Sequence, residues 1–243
     1  MTSVRDHYEN HLAPFYSWLS GGVDEAIARG QAEVAAVGLL DTDSAGYALD
    51  LGAGFGMHAI PLARQGWSVL AIDSSALLLE ELRAHPDGDS VTTVQDDLLR
   101  FPQYISGCPD AILCMGDTLT HLPDRTVVRS LFALVSEHLP VGGRLVLSFR
   151  DYSKALEGPD RFILVKSDES RVFTCFLEYK EDTVRVHDIL HQRSEGSRLM
   201  RVSAYEKLRL APEWVQGQLE CYGLSVRQEA GLAGLVRVIA VRR

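Results

Sequence analysis

The sequence predicts an α/β fold on a doubly wound, mostly parallel sheet, with an antiparallel segment set into its C-terminal half. Three observations predict it. Residues 47–64 (YALDLGAGFGMHAIPLAR) read as an apolar strand, three glycines at alternate positions, and apolar residues at helical spacing. Short apolar strands then alternate with helical segments as far as residue 149. Residues 161–209 change period, with strand-like alternation between clusters of turn-forming residues.

The chain has 243 residues, enough for one large domain with an insertion, and 46% hydrophobic content supports a sizeable core. No run of about 18 apolar residues predicts a membrane span. The N-terminus MTSVRDHYENH is too polar for a secretory signal, so the expected location is cytoplasmic. Cys108, Cys114, Cys175 and Cys221 include no C-x-x-C pair, so neither a zinc site nor a redox motif is indicated. A net charge of −9 disfavours a nucleic-acid footprint, which needs a basic face.

Taken in order, residues 1–44 read as helical, broken at Pro14 and at Gly21-Gly22. Tyr8, Tyr16 and Trp18 in this segment either face a ligand or pack the segment onto the sheet; both readings stay open. Residues 47–51 form the first strand. Gly52, Gly54 and Gly56 allow a sharp turn and let a ligand approach the backbone. The helix that follows offers unpaired N–H groups at its start. The spacing G-x-G-x-G is one residue tighter than the dinucleotide fingerprint, and Asp50 would repel a pyrophosphate. Together they point to a ligand carrying an ammonium group.

Residues 68–72 are the second strand, ending at Asp73, 21 residues after Gly52. A carboxylate there suits a ribose diol, although Asp73 also suits the cap of the helix at 76–83. The third strand, 91–94, ends in Gln95-Asp96-Asp97-Leu98, and the fourth, 110–115, in Gly116-Asp117-Thr118-Leu119-Thr120-His121-Leu122. The first and fourth strands flank the point where strand order reverses, where such sheets bind ligands. His121 is either a base or substrate contact, or a structural residue at the start of the helix at 127–139. The fifth strand, 144–149, ends in Arg150-Asp151-Tyr152; the arginine fork can grip a carboxylate or pair with a neighbouring acid.

Residues 161–209 form an antiparallel meander with one wet face and turns at 167–170, 181–182 and 194–197. Arg193, Arg198, Arg201, Lys207 and Arg209 tint it basic. They either recruit an anionic partner or form a solvated face among Glu178, Glu181, Asp182 and Glu206. A helix at 212–222 and strands at 224–228 and 235–241 close the chain.

The run LDLGAGFG resembles the first motif of the class I S-adenosylmethionine-dependent methyltransferases, and MGDTLTHL and SFRDY resemble their small-molecule, glycine N-methyltransferase-like group. The resemblance implies a Rossmann-like seven-stranded, mostly parallel sheet with helices on both faces, completed by a hairpin with one antiparallel edge strand. It implies a helical lid segment at 1–44, a cofactor-binding domain at 45–155 and 210–243, and an inserted antiparallel β cap at 156–209. The implied cofactor is S-adenosyl-L-methionine, with S-adenosyl-L-homocysteine as product and no metal. Asp50, Gly52, Ala53, Gly54 and Gly56 would hold its methionine part. Asp73 and Ser74 would hold the ribose, and Asp97 with Leu98, or Asp96, the adenine. Met115, Gly116, Asp117 and Tyr16 would complete the cofactor site. His121 and Arg150, the catalytic candidates, and Tyr152 would face a small-molecule acceptor, Arg150 on its carboxylate. The implied reaction is direct displacement at the sulfonium methyl, onto N or O, by a monomer or homodimer with no nucleic-acid or membrane partner. Two competing readings are an NAD(P)-dependent oxidoreductase and a non-catalytic S-adenosylmethionine-binding protein. The first is opposed by the glycine spacing, Asp50 and the lack of a Tyr-x-x-x-Lys pair.

Overall fold

The computed structural model describes residues 4–41, 46–194 and 197–243. The core is a seven-stranded sheet of β1 (Tyr47–Leu51), β2 (Ser68–Asp73), β3 (Val91–Gln95), β4 (Ala111–Cys114), β5 (Arg144–Phe149), β10 (Leu224–Ala230) and β11 (Val236–Arg242). Their spatial order is β10-β11-β5-β4-β1-β2-β3. β1 to β5 pair in parallel, while β11 runs antiparallel to both its neighbours. The strand order reverses between β1 and β4, as the motif spacing predicts.

The period of two along each strand sends alternate side chains to opposite layers. Leu49 and Leu51 of β1 pack with Leu131, Phe132 and Val135 of α6 (Arg125–His138) and with Val215 and Leu219 of α7 (Pro212–Cys221). Ala48 of the same strand packs on the other side with Ile27 and Val34 of α3 (Val23–Ala36) and Ile60 and Leu62 of α4 (Ala59–Arg64). Leu79 and Leu82 of α5 (Ala76–Ala84) join that second layer. Helices therefore cover both faces.

One detail departs from expectation. The antiparallel strand is not at the edge: β11 lies between β5 and β10. The physical reason is burial. Val238 and Ala240 of β11 are wholly buried, whereas β10 alternates buried or half-buried with exposed residues and suits an edge with one wet side.

Residues 162–208 form a separate four-stranded antiparallel sheet, β6 (Phe162–Ser167), β7 (Arg171–Tyr179), β8 (Thr183–Ser194) and β9 (Ser197–Leu208), in sequential order. The expected turn at 194–197 includes Glu195 and Gly196, which lie outside the described residues. One face buries Phe173, Leu177, Val184, Val186, Leu190 and Tyr205. The opposite face is less polar than the alternation suggests: Phe162, Leu164, Val172, Met200 and Val202 are exposed on it.

The N-terminal segment runs as α1 (Val4–His7), a five-residue π-helical turn (Tyr8–Leu12), α2 (Ala13–Leu19) and α3. Residues 1–3 and 42–44 of the segment expected to be helical lie outside the described residues. Pro14 stands in the first turn of α2, where its missing N–H costs little, and the wider π turn precedes it. Gly21 and Gly22, both at positive φ, separate α2 from α3. The segment is tied down at both ends of its first turns. His7 Nε2 meets Asp188 Oδ2 of β8 at 2.9 Å, and Glu9 Oε1 accepts from Ala76 N of α5 at 2.9 Å.

Candidate active site

The loops at the carboxyl ends of β1, β2, β3 and β4 and the N-terminal segment enclose a cavity of about 460 Å³. Of the residues singled out in the sequence, Tyr16, Gly52, Ala53, Gly54, Asp73, Ser74, Asp96, Asp97, Leu98, Met115, Gly116 and His121 line it together. Asp50, Gly56, Asp117, Arg150 and Tyr152 do not. Apart from Tyr16 of α2, the first group sits at or just after four strand ends that the parallel pairing brings side by side.

The glycine turn is fastened to its neighbours. Gly54 N donates to Asp73 Oδ2 at 2.7 Å, and Ser75 N donates to Asp73 Oδ1 at 2.8 Å. Asp73 thus bridges the β1 turn and the start of α5, where Ser75 is the N-cap. Burial pushes its carboxyl up from the usual range. Gly52 has φ 77, and a Cβ there would lie 2.4 Å from the Thr118 side chain, so glycine lets the β1 and β4 loops touch. Gly56 serves packing instead, since a Cβ there would press on Leu82 at 2.9 Å.

Asp50 is buried beneath the turn, 1% exposed, and its Oδ2 has no hydrogen-bond partner among the described residues. Burial raises its pKa to about 6, against the pull of His58 and the Ala59 N–H. His58, which does line the cavity, is held by Glu33 of α3 at 2.9 Å. This buried His58–Glu33 pair carries no motif signature in the sequence.

At the β3 end, Asp97 caps the short 3₁₀ turn Leu98–Gln103 by accepting from Leu99 N at 2.9 Å. Asp96 is held by Tyr104 and Arg100 and accepts from Asp97 N at 2.8 Å. The Tyr104 hydroxyl holds the Asp96 carboxyl below the usual range.

The β4 end is the most constrained part of the site. Asp117, at φ 79, is one of two residues other than glycine with positive φ among the described residues. Its Oδ1 accepts from Arg150 N and Thr120 Oγ1, both at 2.9 Å, and its Oδ2 accepts from Lys207 Nζ of β9 at 2.5 Å. Gly116 N donates to Ser148 Oγ at 2.8 Å, tying the same turn to β5. Burial opposes both charges of the Lys207–Asp117 pair. The attraction prevails: Asp117 lies below the ordinary carboxyl range and Lys207 well above the ordinary ammonium one.

His121 ends the turn Thr118–His121. Its ring lies 5.4 Å from Tyr8 and 5.7 Å from Tyr205, and its buried Nε2 has no partner among the described residues. Burial, with help from Lys207, lowers its pKa to about 3, so the imidazole is neutral at physiological pH. Arg150 is exposed and turns toward the β10–β11 loop, where Nη2 donates to Ala233 O at 3.4 Å. Tyr152 is buried in the packing beneath the four-stranded sheet. Trp18 lies under the Arg171 guanidinium, 4.3 Å from its ring centre, while Tyr8 and Tyr16 line the cavity. Among the described residues, no lysine or arginine lines the cavity.

Residues 48–143 match the family model described as a methyltransferase domain. Over these residues the chain carries a methyltransferase domain. The chain is 30% identical over 161 residues to the glycine/sarcosine N-methyltransferase of Parasynechococcus marenigrum, an alignment covering 64% of this chain and 57% of that protein. The chain thus spans little more than half the length of the curated relatives it matches. In fold, it is similar to the sugar N-methyltransferase KedS8 from Streptoalloteichus, with a TM-score of 0.75 at 18% identity over 94% of this chain and 92% of that one. It is also similar to the glycopeptide N-methyltransferase MtfA complexed with S-adenosyl-L-homocysteine, with a TM-score of 0.60 at 25% identity over 88% and 87%. S-adenosylmethionine is the cofactor of this domain. Among the described residues, no helix is long and apolar enough to cross a membrane.

Proposed function

We propose that this chain transfers the methyl group of S-adenosylmethionine to an amine nitrogen of a small molecule whose frame carries no carboxylate. The observation that carries the reading is the charge of the cavity wall. Its carboxylates are Asp73, Asp96 and Asp97, its acceptor end holds the neutral His121, and no cationic lysine or arginine faces it among the described residues. An acceptor carboxylate would meet no counter-charge there, whereas an amine meets hydrogen-bond acceptors.

The residues present fit the cofactor. The glycine turn leaves backbone exposed beside the cavity, Asp73 keeps lone pairs beyond its two backbone bonds, and the buried Asp50 Oδ2 lacks a partner. In this reading Gly52, Ala53 and Gly54 face the methionine part, and Asp50 acts from beneath as a negative charge attracting its ammonium. Asp73 and Ser74 take the ribose. Asp97 takes the adenine amino group, because Asp96 is already occupied by Tyr104, Arg100 and Asp97 N. Tyr8 and Tyr16 close the cavity from the N-terminal segment and exclude water. The bound cofactor supplies a methyl group on a positively charged sulfur. His121 lines the end of the cavity where the acceptor would lie, and its neutral ring contributes positioning there. With so low a pKa, His121 is a hydrogen-bond acceptor rather than a strong base.

The test is methyl transfer from isotope-labelled S-adenosylmethionine to a panel of small amines with and without carboxylates. Labelled product from uncharged-frame amines is expected, with glycine and sarcosine poor acceptors. Preferential methylation of glycine or sarcosine would overturn the choice of acceptor.

A further inference from the structure

His58 borders the cavity beside the glycine turn. It stands at the N-cap of α4, yet its side chain caps no backbone N–H there. The ring turns instead to α3, where Nε2 meets Glu33 Oε2 at 2.9 Å, and both side chains are buried. α3 is shaped for that meeting. Gly30 lies one turn before Glu33, and a Cβ at Gly30 would fall 1.9 Å from Met57 O. Glycine weakens a helix interior, and here it lets α3 lie against the backbone just before His58. A carboxylate only accepts hydrogen bonds, so Glu33 draws the ring proton to Nε2 and leaves the lone pair of a neutral imidazole on Nδ1. Nδ1 has no hydrogen-bond partner among the described residues. The fully covered side-chain atoms without a partner among those residues are His11 Nε2, Asp50 Oδ2 and His121 Nε2. His58 Nδ1 is not one of them, so it keeps accessible surface on a residue of the cavity wall.

We propose that His58, held by Glu33, is the wall contact for the ammonium group of the cofactor's methionine part: Nδ1 accepts an ammonium N–H, and Glu33 and Asp50 supply negative charge behind the ring. This deepens, and rests on, the methyl-transfer reading above. Asp50 alone cannot make the contact, because it is 1% exposed and its Oδ2 is covered. A charge set that deep attracts an ammonium without directing it. His58 lies near enough to Asp50 to pull on its carboxyl, and it reaches the cavity where Asp50 does not. An ammonium N–H on Nδ1 is a charge-assisted hydrogen bond, short and directional. The cofactor's carboxylate would fare badly at the same place. It would face the Nδ1 lone pair and two buried carboxylates, with no lysine or arginine on the cavity wall among the described residues. Glu33 is thus a positioning residue: it orients the ring and fixes which nitrogen is free.

The test is calorimetric binding of three ligands to the full chain: S-adenosylhomocysteine, its deaminated analogue, which keeps the carboxylate, and its decarboxylated analogue, which keeps the amine. The wild type is expected to bind S-adenosylhomocysteine about tenfold or more tighter than the deaminated analogue, as a hydrogen bond to a charged group requires. His58→Phe keeps a ring and removes both nitrogens. It should weaken the two amine-bearing ligands by about tenfold and leave the deaminated analogue bound as in the wild type. A merely structural histidine would weaken all three alike, so an equal loss, or no loss, would overturn the proposal. A loss that follows the carboxylate instead of the amine would overturn it too. Should His58→Phe fail to fold, Glu33→Gln decides: it keeps a hydrogen bond to the ring, removes the charge and frees the tautomer. A smaller loss is then expected, again confined to the amine-bearing ligands, and an equal loss or none would overturn the proposal. The wild type separates the two readings. Binding of none of the three ligands would sink the methyl-transfer reading, whereas equal binding of S-adenosylhomocysteine and its deaminated analogue would sink the role of His58 alone.

Discussion

Asp73 and Asp50 stand on the neighbouring strands β2 and β1, and burial raises the pKa of both. Asp73 borders the cavity and fastens Gly54, so its loss removes both a ligand contact and a turn anchor. Asp73→Ala is expected to weaken S-adenosylhomocysteine binding by about 1–3 kcal/mol, read by calorimetry; unchanged affinity would remove Asp73 from the site. Asp50 is a buried acid whose pKa in the folded chain, about 6, lies above the unfolded value of 3.8. The folded state therefore holds the extra proton between these limits, and stability falls as pH rises from about 4 to about 6. Asp50→Asn abolishes that slope. Its stability relative to wild type should grow by about 3 kcal/mol between pH 4 and pH 7 in urea titrations, and a constant difference would mean Asp50 is not desolvated as described.

At the scale of elements, the short loops after β1 and β2 were legible because their residue types have few other uses. Three glycines at alternate positions after an apolar strand, and an acid 21 residues on, belong to local backbone geometry. α6 was equally legible, although it begins two residues before the expected start because Asp124 caps it, accepting from Thr126 N at 2.7 Å and Val127 N at 2.9 Å. Asp124→Ala should cost about 1 kcal/mol in chemical denaturation, with cofactor affinity unchanged. Gly52→Ala acts differently. It forces a side chain into φ 77 and against Thr118, so it should lower both stability and affinity for S-adenosylhomocysteine, measured by thermal unfolding with and without the ligand. What could not be read at this scale was the direction in which Arg150 points. A strand end determines where a residue sits, but the β10–β11 loop drew its guanidinium away from the cavity.

At the scale of the whole molecule, ligand binding is coupled to folding through the loops that the sheet brings together. S-adenosylhomocysteine at about 100 times its Kd should stabilise the chain by about 2.7 kcal/mol, raising Tm by roughly 5–10 °C, while NAD and NADP leave it unmoved. A shift with NAD or NADP alone would revive the oxidoreductase reading. The second sheet contributes on the same scale: β8 holds His7 of the N-terminal segment and β9 holds the β4 turn, so one element braces two walls of the cavity.

The sequence by itself determined the α/β class, the parallel strands β1 to β5 and the four loop motifs at their ends, because period, turn chemistry and spacing act over neighbouring residues. It also determined which cofactor those loops suit. Tertiary structure decided the rest. It placed β11 inside the sheet, where its apolar residues are buried. It set the buried pair of Lys207 and Asp117 beneath His121 and left the cavity wall without a cation among the described residues. These outcomes depend on contacts between residues tens of positions apart, and on desolvation, which exists only once the layers have packed.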